Sequence, residues 1–272
     1  MSHPFFALPA PIVIGHRGAA GERPENTLPS FERALADGAA VLESDVHLTR
    51  DGVPVLIHDD ELERCTDGSG HVRDHDVAAL KRLDAGYHFE IETGAHPFRG
   101  LGVRIPTLAE ALAAFPSARF NLELKEHVPG MVARSVAAVA DAARAPDVLL
   151  TSANDALMAE LRAHVAASRV DVALGASTGE VARFAVAALR GETPPPGPMA
   201  LQIPAEFAGR PLATRELVEH AHRHGVQVHV WTIDEPEEMC ALLALGVDGI
   251  VTNYPARLAR LLAARASRQR TA

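Results

Sequence analysis

The segment 12-IVIGHRGAAGERPENTLPSFERALAD-37 contains a short apolar run, a turn with several glycines and a stretch of helix length, in that order. The run at 12–16 is almost continuously apolar, which is typical of a parallel strand buried on both faces. The stretch at 27–37 is long enough for a helix of ordinary length. We therefore interpret the segment as one β-strand followed by one α-helix.

The same β-then-α order recurs along the chain. The further β-like runs are 41-VLESDV-46, 120-FNLELK-125, 148-VLLTS-152, 172-VALGA-176, 200-ALQIP-204, 228-VHVWTI-233 and 249-GIVTN-253. Helix-length segments follow most of them, for example at 132–143, 153–167, 213–224 and 235–245. Eight such units predict a (β/α)8 or TIM barrel. A doubly wound open sheet is the alternative with the same alternation.

Residues 59–106 interrupt the alternation between the second and the third unit. They are polar and rich in glycine, and they end at Pro106 and Thr107, which are typical of a helix start. We therefore expect an insertion over one end of the barrel. Its aromatic residues Tyr87, Phe89 and Phe98 are the candidates for an apolar groove.

Composition sets limits on the class of protein. The 272 residues suffice for one large barrel or two ordinary domains, and we expect residues 1–272 to form a single barrel domain. No apolar run reaches the length of about 20 residues that a transmembrane helix needs, and no signal peptide is recognisable, so a cytoplasmic location is the default expectation. The net charge of −9 argues against nucleic acid as a partner. The oligomeric state is left open, with a homo-oligomer as one alternative.

Polar side chains stand at the predicted C-terminal ends of the strands. In a barrel of this class those ends form the active face. The residues concerned are His16, Arg17, Glu43, Asp45, Glu123, Lys125, Trp231 and Asn253. The sequence therefore predicts a polar site at the mouth of the barrel.

Three of these residues are carboxylates that converge on the mouth. Glu43 and Asp45 are two positions apart and therefore point to the same side of their strand, with Glu123 on the next strand along. Burying several carboxylates together is costly unless they are compensated. One divalent cation, Mg²⁺ or Ca²⁺, would compensate them, because both ions prefer oxygen ligands. The alternative is that Arg17 and Lys125 form structural salt bridges with the acids.

The stretch 43-ESDVHLTRDGVPVLIHD-59 predicts a β-hairpin that returns a histidine to this level. Asp51-Gly52 is typical of a two-residue turn. If Arg50 faces Val53, Asp45 faces His58, and directly paired residues project from the same face of the sheet. A slip of the register by one residue would turn His58 away.

Two imidazoles, two cationic side chains and a hard cation would then share one mouth. His16 and His58 can supply an acid and a base near neutral pH. Arg17 and Lys125 match the charge of a phosphate, as a metal ion does. These parts predict metal-assisted cleavage of a phosphodiester.

The chain resembles a known family, the glycerophosphodiester phosphodiesterases. The motifs that carry the resemblance are 15-GHRG-18, 24-PENT-27, 43-ESD-45, 51-DGVPVLIHD-59, 121-NLELK-125, 230-VWT-232 and 248-DGIVTN-253. They run in order over about residues 12 to 256, and the ordered set is far more specific than any single motif.

The resemblance implies a fold, a reaction and a set of site residues. It implies a TIM barrel with residues 59–106 as a small subdomain, and hydrolysis of a glycerophosphodiester to glycerol 3-phosphate and an alcohol. It implies metal ligation by Glu43, Asp45 and Glu123, acid–base catalysis by His16 and His58, phosphate binding by Arg17 and Lys125, and a pocket lined by Trp231. The chain departs from the family at Asn253, where relatives often carry aspartate, and at Asp234, where asparagine is common.

Two other functions remain as alternatives. A lysophospholipase D-type activity would take a lipid diester, and an apolar groove in the insertion would favour it over a small headgroup. A non-catalytic barrel that binds a phosphate ligand would not need both histidines and all three carboxylates.

The remaining polar residues receive local interpretations. Asn26 is expected to be the N-cap of the first helix, with Glu25 as a partner of the site. His220, His222 and His224 precede the seventh strand, so we expect them at a solvated helix end away from the mouth. His47 receives no role.

Overall fold

The computed structural model describes the backbone of residues 3–271 and the side chains of residues 3–267. The strands are β1 (Ile12–Gly15), β2 (Val41–Leu48), β3 (Pro54–Leu56), β4 (Arg119–Leu124), β5 (Val148–Thr151), β6 (Ala173–Leu174), β7 (Ala200–Pro204), β8 (Glu206–Phe207), β9 (Arg210–Pro211), β10 (Gln227–Trp231) and β11 (Gly249–Thr252). The helices are α1 (Leu28–Ala36), α2 (Val77–Leu80), α3 (Leu108–Ala114), α4 (Met131–Asp141), α5 (Asp155–Ser168), α6 (Thr178–Arg190), α7 (Arg215–Arg223), α8 (Pro236–Leu245) and α9 (Pro255–Thr271).

The eight strand-like runs of the sequence form a parallel barrel. Their order is β6-β5-β4-β2-β1-β11-β10-β7, and every neighbouring pair on this path is parallel. Between the two end strands, β6 and β7, the backbone N–H of Met199 donates to the carbonyl oxygen of Leu174 at 2.9 Å. The sheet is thus a nearly closed (β/α)8 barrel. The predicted TIM barrel is confirmed, and the open-sheet alternative is wrong.

The interior of the barrel is closed at the N-terminal ends of the strands. Ile12, Val41, Ala173 and Ala200, which begin or nearly begin their strands, share one apolar cluster with Ile14, Leu149 and Val251. Phe5 and Phe6, on a short 3-10 helix that precedes β1, belong to the same cluster. This apolar plug leaves the opposite end of the barrel, where the strands finish in polar residues, as the open mouth.

The inserted segment shares a small apolar core with β3 and the residue after it. Its members are Val55, Ile57, Leu62, Val72, Leu80, Ala85, Val103 and Ile105. The backbone N–H of Leu56 donates to the carbonyl oxygen of Pro106 at 2.9 Å, which ties β3 to the end of the segment. The predicted insertion is therefore an ordered cap that packs on the β2–β3 hairpin.

The hairpin register differs from the prediction by one residue. β2 and β3 pair as Val46 with Leu56 and Leu48 with Pro54, and the backbone N–H of Thr49 donates to the carbonyl oxygen of Val53. The turn therefore holds three residues, 50–52, with Gly52 at a φ of +76°. A three-residue loop that ends in a left-handed residue is the next most common hairpin after the two-residue turn. The predicted pairing of Asp45 with His58 was wrong.

The histidines at the end of α7 lie away from the mouth, but they are not all solvated. His220 is buried against Phe184, with ring centroids 5.5 Å apart. His222 forms a hydrogen bond of 2.8 Å with Asp248, and His224 is exposed. The expectation of a solvated helix end was thus wrong for His220.

No helix within residues 3–271 combines the length and the apolar character needed to cross a bilayer.

Candidate active site

A cavity of about 460 Å³ opens at the C-terminal ends of the barrel strands. The sequence-predicted residues that line it are His16, Arg17, Glu43, Asp45, His58, Glu123, Lys125 and Trp231. All eight predicted site residues therefore share one cavity. Its walls also include residues that the sequence did not single out, among them Asn121, Gln202, Phe207 and Leu212.

The register of β2 and β4 sets the level of the three carboxylates. Asp45 pairs with Glu123 in the parallel ladder, and Glu43 pairs with Asn121. Residues at matched positions of neighbouring parallel strands point to the same side, here into the mouth. Adjacent strands thus place the acidic residues together although they are about 80 positions apart in sequence.

The two cationic side chains lie between these acids. The ammonium Nζ of Lys125 is 3.0 Å from Oε2 of Glu123 and 3.4 Å from Oδ1 of Asp45. The guanidinium Nε of Arg17 is 3.4 Å from Oδ2 of Asp45. The ion pairs of the alternative interpretation therefore exist. Within the described residues, no three carboxylate, histidine or cysteine side chains form a preassembled metal-binding cluster.

Among the side chains of residues 3–267, no cationic group lies within salt-bridge distance of Glu43. Its Oε2 accepts a hydrogen bond of 2.9 Å from the backbone N–H of Arg17. Burial and the charge of Asp45 raise the pKa of Glu43 well above its usual range, and that hydrogen bond opposes them. The carboxylate is therefore costly to ionise unless further positive charge is supplied. This property, together with the all-oxygen donor set, fits a divalent cation.

His16 is hydrogen-bonded to the side-chain amide of Asn253, which is in turn hydrogen-bonded to the carboxylate of Asp234. Its Nδ1 is 2.7 Å from Oδ1 of Asn253, whose side-chain amide and backbone N–H donate to Asp234 at 2.7 and 2.8 Å. Because the oxygen of Asn253 must accept, His16 carries its proton on Nδ1 and leaves Nε2 free. Burial and the charge of Arg17 lower the pKa of His16, while the bond to Asn253 opposes them. Asn253 and Asp234, the two departures from the family pattern, are thus direct partners.

His58 has a carboxylate as its partner instead. Its Nδ1 is 2.6 Å from Oδ1 of Asp59, and Arg64 donates to the other oxygen of Asp59. Burial alone would raise the pKa of Asp59, but hydrogen bonds from Arg64 and His58 outweigh it and lower the value to about 2. Nε2 of His47 donates to the carbonyl oxygen of His58 at 3.0 Å. The ladder of β3 ends at Leu56, so His58 reaches the cavity despite the shifted register.

The turn after β1 is shaped by Gly18 and anchored by Arg17. Gly18 has a φ of +88°, and a Cβ atom there would lie 2.6 Å from the backbone of Ser30. Nη1 of Arg17 donates to Oε1 of Glu25 at 2.9 Å. The prediction that Glu25 is a partner of the site is therefore consistent with its position.

Asn26 is not the N-cap of α1. The cap is Thr27, which makes no side-chain capping bond, whereas Asn26 is buried with a φ of +56°. The amide of Asn26 donates to Oδ2 of Asp45 at 3.1 Å, and its oxygen accepts from the hydroxyl of Ser44 at 2.6 Å. The capping prediction was wrong because an asparagine before a helix has the same local signature whichever way its side chain turns. Here it turns inwards and orients Asp45.

The side of the cavity opposite the charged residues is mostly apolar, with Thr178, Gln202 and Thr232 as its polar members. The apolar wall consists of Ala176, Val181, Ala182, Ile203, Pro204, Phe207, Leu212 and Trp231. Phe207, on the β8–β9 hairpin, is 64% exposed, and Trp231 is 44% exposed. Helix α6, which supplies Val181, begins with a capping box formed by Ser177 and Glu180. The cavity is thus charged on one side and mostly apolar on the other.

Tyr87, Phe89 and Phe98 do not form the apolar groove at the cavity that would have favoured a lipid substrate. Phe89 and Phe98 pack on each other with ring centroids 5.4 Å apart, and the guanidinium of Arg99 lies 4.3 Å from the ring of Tyr87. None of these residues lines the cavity. The cap therefore contributes no aromatic surface to the site.

The barrel and its charged mouth define an α/β-barrel enzyme that acts on phosphate esters. The chain matches the model of the glycerophosphoryl diester phosphodiesterase family over residues 16–257. The chain belongs to this family and is a phosphodiester hydrolase. The predicted family and the prediction of an enzyme are both confirmed.

Three relatives illustrate the similarity. A glycerophosphodiester phosphodiesterase of Caldanaerobacter subterraneus is 33% identical over 259 residues, which cover 92% of this chain and 97% of that protein. The solved structure of an Oleispira antarctica phosphodiesterase in complex with the product sn-glycerol-3-phosphate has a TM-score of 0.72 and 27% identity, covering 93% of this chain and 97% of that one. A human lysophospholipase D is 26% identical over 268 residues, which cover 90% of this chain and 84% of that protein.

Proposed function

We propose that the protein hydrolyses glycerophosphodiesters to sn-glycerol 3-phosphate and an alcohol, with one divalent cation and with His16 and His58 as general acid and base. The observation that carries the proposal is the sharing of one cavity by two histidines, three carboxylates and two cationic side chains. The name of the Oleispira antarctica relative, which was solved with sn-glycerol-3-phosphate, supports the product.

The charges around the cavity support a cation. Glu43, Asp45 and Glu123 carry three negative charges when ionised, against the two positive charges of Arg17 and Lys125. A phosphodiester carries one negative charge and would be repelled by the net negative charge that remains. The three carboxylates would hold Mg²⁺ or Ca²⁺, which reverses that sign. When bound, the cation supplies Lewis-acid polarisation of a phosphoryl oxygen.

The partners of the two histidines support a division of roles. His16 has a free Nε2 and a neutral amide on Nδ1, so it suits the base that takes the proton of the attacking hydroxyl. His58 has the Asp59 carboxylate on Nδ1, which can compensate the charge of an imidazolium. His58 then gives the proton on Nε2 to the leaving oxygen, while Arg17 and Lys125 neutralise the phosphate. The attacking hydroxyl belongs either to water or to the substrate's own glycerol.

The test is release of glycerol 3-phosphate from glycerophosphocholine with Mg²⁺, with Ca²⁺ and with EDTA. We expect release that needs a metal and that falls about 10²- to 10⁴-fold in His16→Ala and in His58→Ala. His164→Ala, on the outer helix α5, is the matched control and should behave as the unmodified enzyme. Release that persists in EDTA and in both variants would refute the proposed mechanism.

A second candidate substrate is a lysophospholipid, cleaved by a lysophospholipase D-type reaction. The apolar wall with the exposed Phe207 and Trp231 favours it, since a hydrocarbon chain would bury that surface. The name of the human relative agrees with it. We expect Phe207→Asp to lower kcat/KM for lysophosphatidylcholine at least tenfold while Phe207→Leu does not. Failure of the enzyme to cleave lysophosphatidylcholine would remove this candidate.

A cytoplasmic location and a single barrel domain over residues 1–272 remain predictions from the sequence, and the oligomeric state stays open, with a homo-oligomer as one alternative. Size-exclusion chromatography with light scattering measures the oligomeric state directly.

A further inference from the structure

Arg64 lies outside the cavity, in the inserted cap, yet it contacts partners of two site residues. Its side chain is 47% exposed, and it does not line the cavity. Its Nη1 and Nη2 donate to the two oxygens of Glu25 at 2.8 and 2.7 Å, and its Nε donates to Oδ2 of Asp59. One planar guanidinium thus holds two carboxylates at once.

Each of these two carboxylates is also hydrogen-bonded to a residue of the mouth, Asp59 to His58 and Glu25 to Arg17. Asp59 uses one oxygen for Arg64 and the other for Nδ1 of His58, so the plane of the carboxylate fixes the direction of the ring. Oε1 of Glu25 accepts from both Arg64 and Nη1 of Arg17. The chain of contacts therefore runs from His58 through Asp59, Arg64 and Glu25 to Arg17.

The hydrogen bonds from Arg64 to Glu25 and Asp59 persist over the pH range in which most enzymes work. Burial alone would raise the pKa of Glu25, but hydrogen bonds and charge from Arg64 and Arg17 outweigh it and lower the value to about 2. Hydrogen bonds from Arg64 and His58 likewise lower the pKa of Asp59 to about 2. Both carboxylates are thus ionised above about pH 4, and the guanidinium is always charged.

We infer that Arg64 is a positioning residue that sets the ring of His58 through Asp59 and the guanidinium of Arg17 through Glu25. The inference rests on the proposed function, because the roles of His58 and Arg17 come from it. A lysine could not replace this arginine, since one ammonium group lacks the planar fork that engages two carboxylates. The competing role is structural, with Arg64 only fastening the cap to the barrel.

A variant pair separates the two roles. Arg64→Met should lower kcat about 10- to 100-fold, because small displacements of catalytic groups cost that much, with a smaller change in KM. Lys81→Met is the matched control, since Lys81, in the cap, forms an ion pair with Glu110 of α3 that fastens the cap to the barrel without contacting the site. It should keep full kcat with a comparable fall in the urea midpoint. A full kcat for Arg64→Met would overturn the inference.

A comparison in a double-mutant background tests whether Arg64 affects kcat through Glu25 and Asp59. In a Glu25→Gln/Asp59→Asn background, the carboxylates that Arg64 orients are gone, so Arg64→Met should change kcat less than about threefold. If Arg64→Met lowers kcat as much in this background as it does in the otherwise unmodified enzyme, Arg64 does not act through Glu25 and Asp59. If Arg64→Met does not fold, Arg64→Lys takes its place, and full kcat for Arg64→Lys would also overturn the inference.

Crystal structures make the test independent of activity. The ring of His58 should turn away from Asp59 in Arg64→Met and keep its place in Lys81→Met; an unmoved ring in Arg64→Met would overturn the inference. If the unmodified enzyme releases no glycerol 3-phosphate, the proposed function fails, and the crystal structures still decide whether Arg64 orients His58.

Discussion

At the scale of single residues, the site depends on side chains whose partners are distant in sequence. Asn26 orients Asp45, His47 binds the backbone of His58, and Asn253 with Asp234 holds His16. Asn253 and Asp234, which the resemblance to the family would place in exchanged positions, are hydrogen-bonded to each other. This arrangement places a neutral amide instead of a carboxylate on Nδ1 of His16.

This exchange predicts a shift in pH dependence. Burial and Arg17 lower the pKa of His16, and a carboxylate beside Nδ1 would raise it. The double variant Asp234→Asn/Asn253→Asp should therefore move the acid limb of the kcat/KM profile to higher pH, because the base protonates sooner as the pH falls. The variant preserves net charge and atom count, so it serves as its own control for size. An acid limb that stays in place would contradict the base role of His16.

At the scale of elements, the β2–β3 hairpin decides where His58 lies. The three-residue turn needs Gly52 in the left-handed region. Beyond Leu56, the last residue of β3, the backbone N–H of Ile57 still donates to the carbonyl oxygen of Asp45, and His58 lies after this hydrogen bond. The strand pattern of the sequence could not show this, because two- and three-residue turns containing Asp-Gly have nearly the same signature.

The hairpin predicts a stability effect with a functional consequence. Gly52→Ala should lower the free energy of unfolding by about 1–2 kcal/mol, since a left-handed conformation costs a residue with Cβ that much. It should also lower kcat, because His58 follows the hairpin. Gly225→Ala, at a φ of +69° between α7 and β10 at the opposite end of the barrel, should cost similar stability and leave kcat unchanged. Urea unfolding and steady-state kinetics measure both effects; equal kcat losses would contradict the hairpin's role.

At the scale of the whole molecule, one end of the barrel is an apolar plug and the other a charged mouth. His229 lies in the interior, against Gly249 and about 6.5 Å from the ring of Phe6. Burial lowers the pKa of His229 to about 4. Its ordinary value is 6.5, so between pH 6.5 and 4 the unfolded chain binds a proton that the folded barrel does not.

The barrel should therefore lose stability on acidification. Stability rises with pH wherever the unfolded state binds more protons, so this contribution is complete above about pH 6.5 and is lost as the pH falls towards 4. The loss between pH 7 and pH 5 should be about 2 kcal/mol. Urea unfolding at both pH values should show a smaller loss for His229→Gln than for the unmodified protein. His224→Gln, an exposed histidine on the same side, is the control, and an equal loss in all three would contradict the prediction.

The sequence by itself determined the eight β/α units, the position of the insertion, and the seven polar residues and the tryptophan that meet at the mouth. These features follow from local periodicity and from the rule that parallel strands end at one face, so neighbouring residues along the chain carry the information. Only the tertiary structure decided the hairpin register, the inward turn of Asn26, the bridge through Arg64 and the apolar wall around Phe207. Each of these depends on contacts between segments far apart in the chain, and several local conformations with the same sequence signature compete until packing selects one.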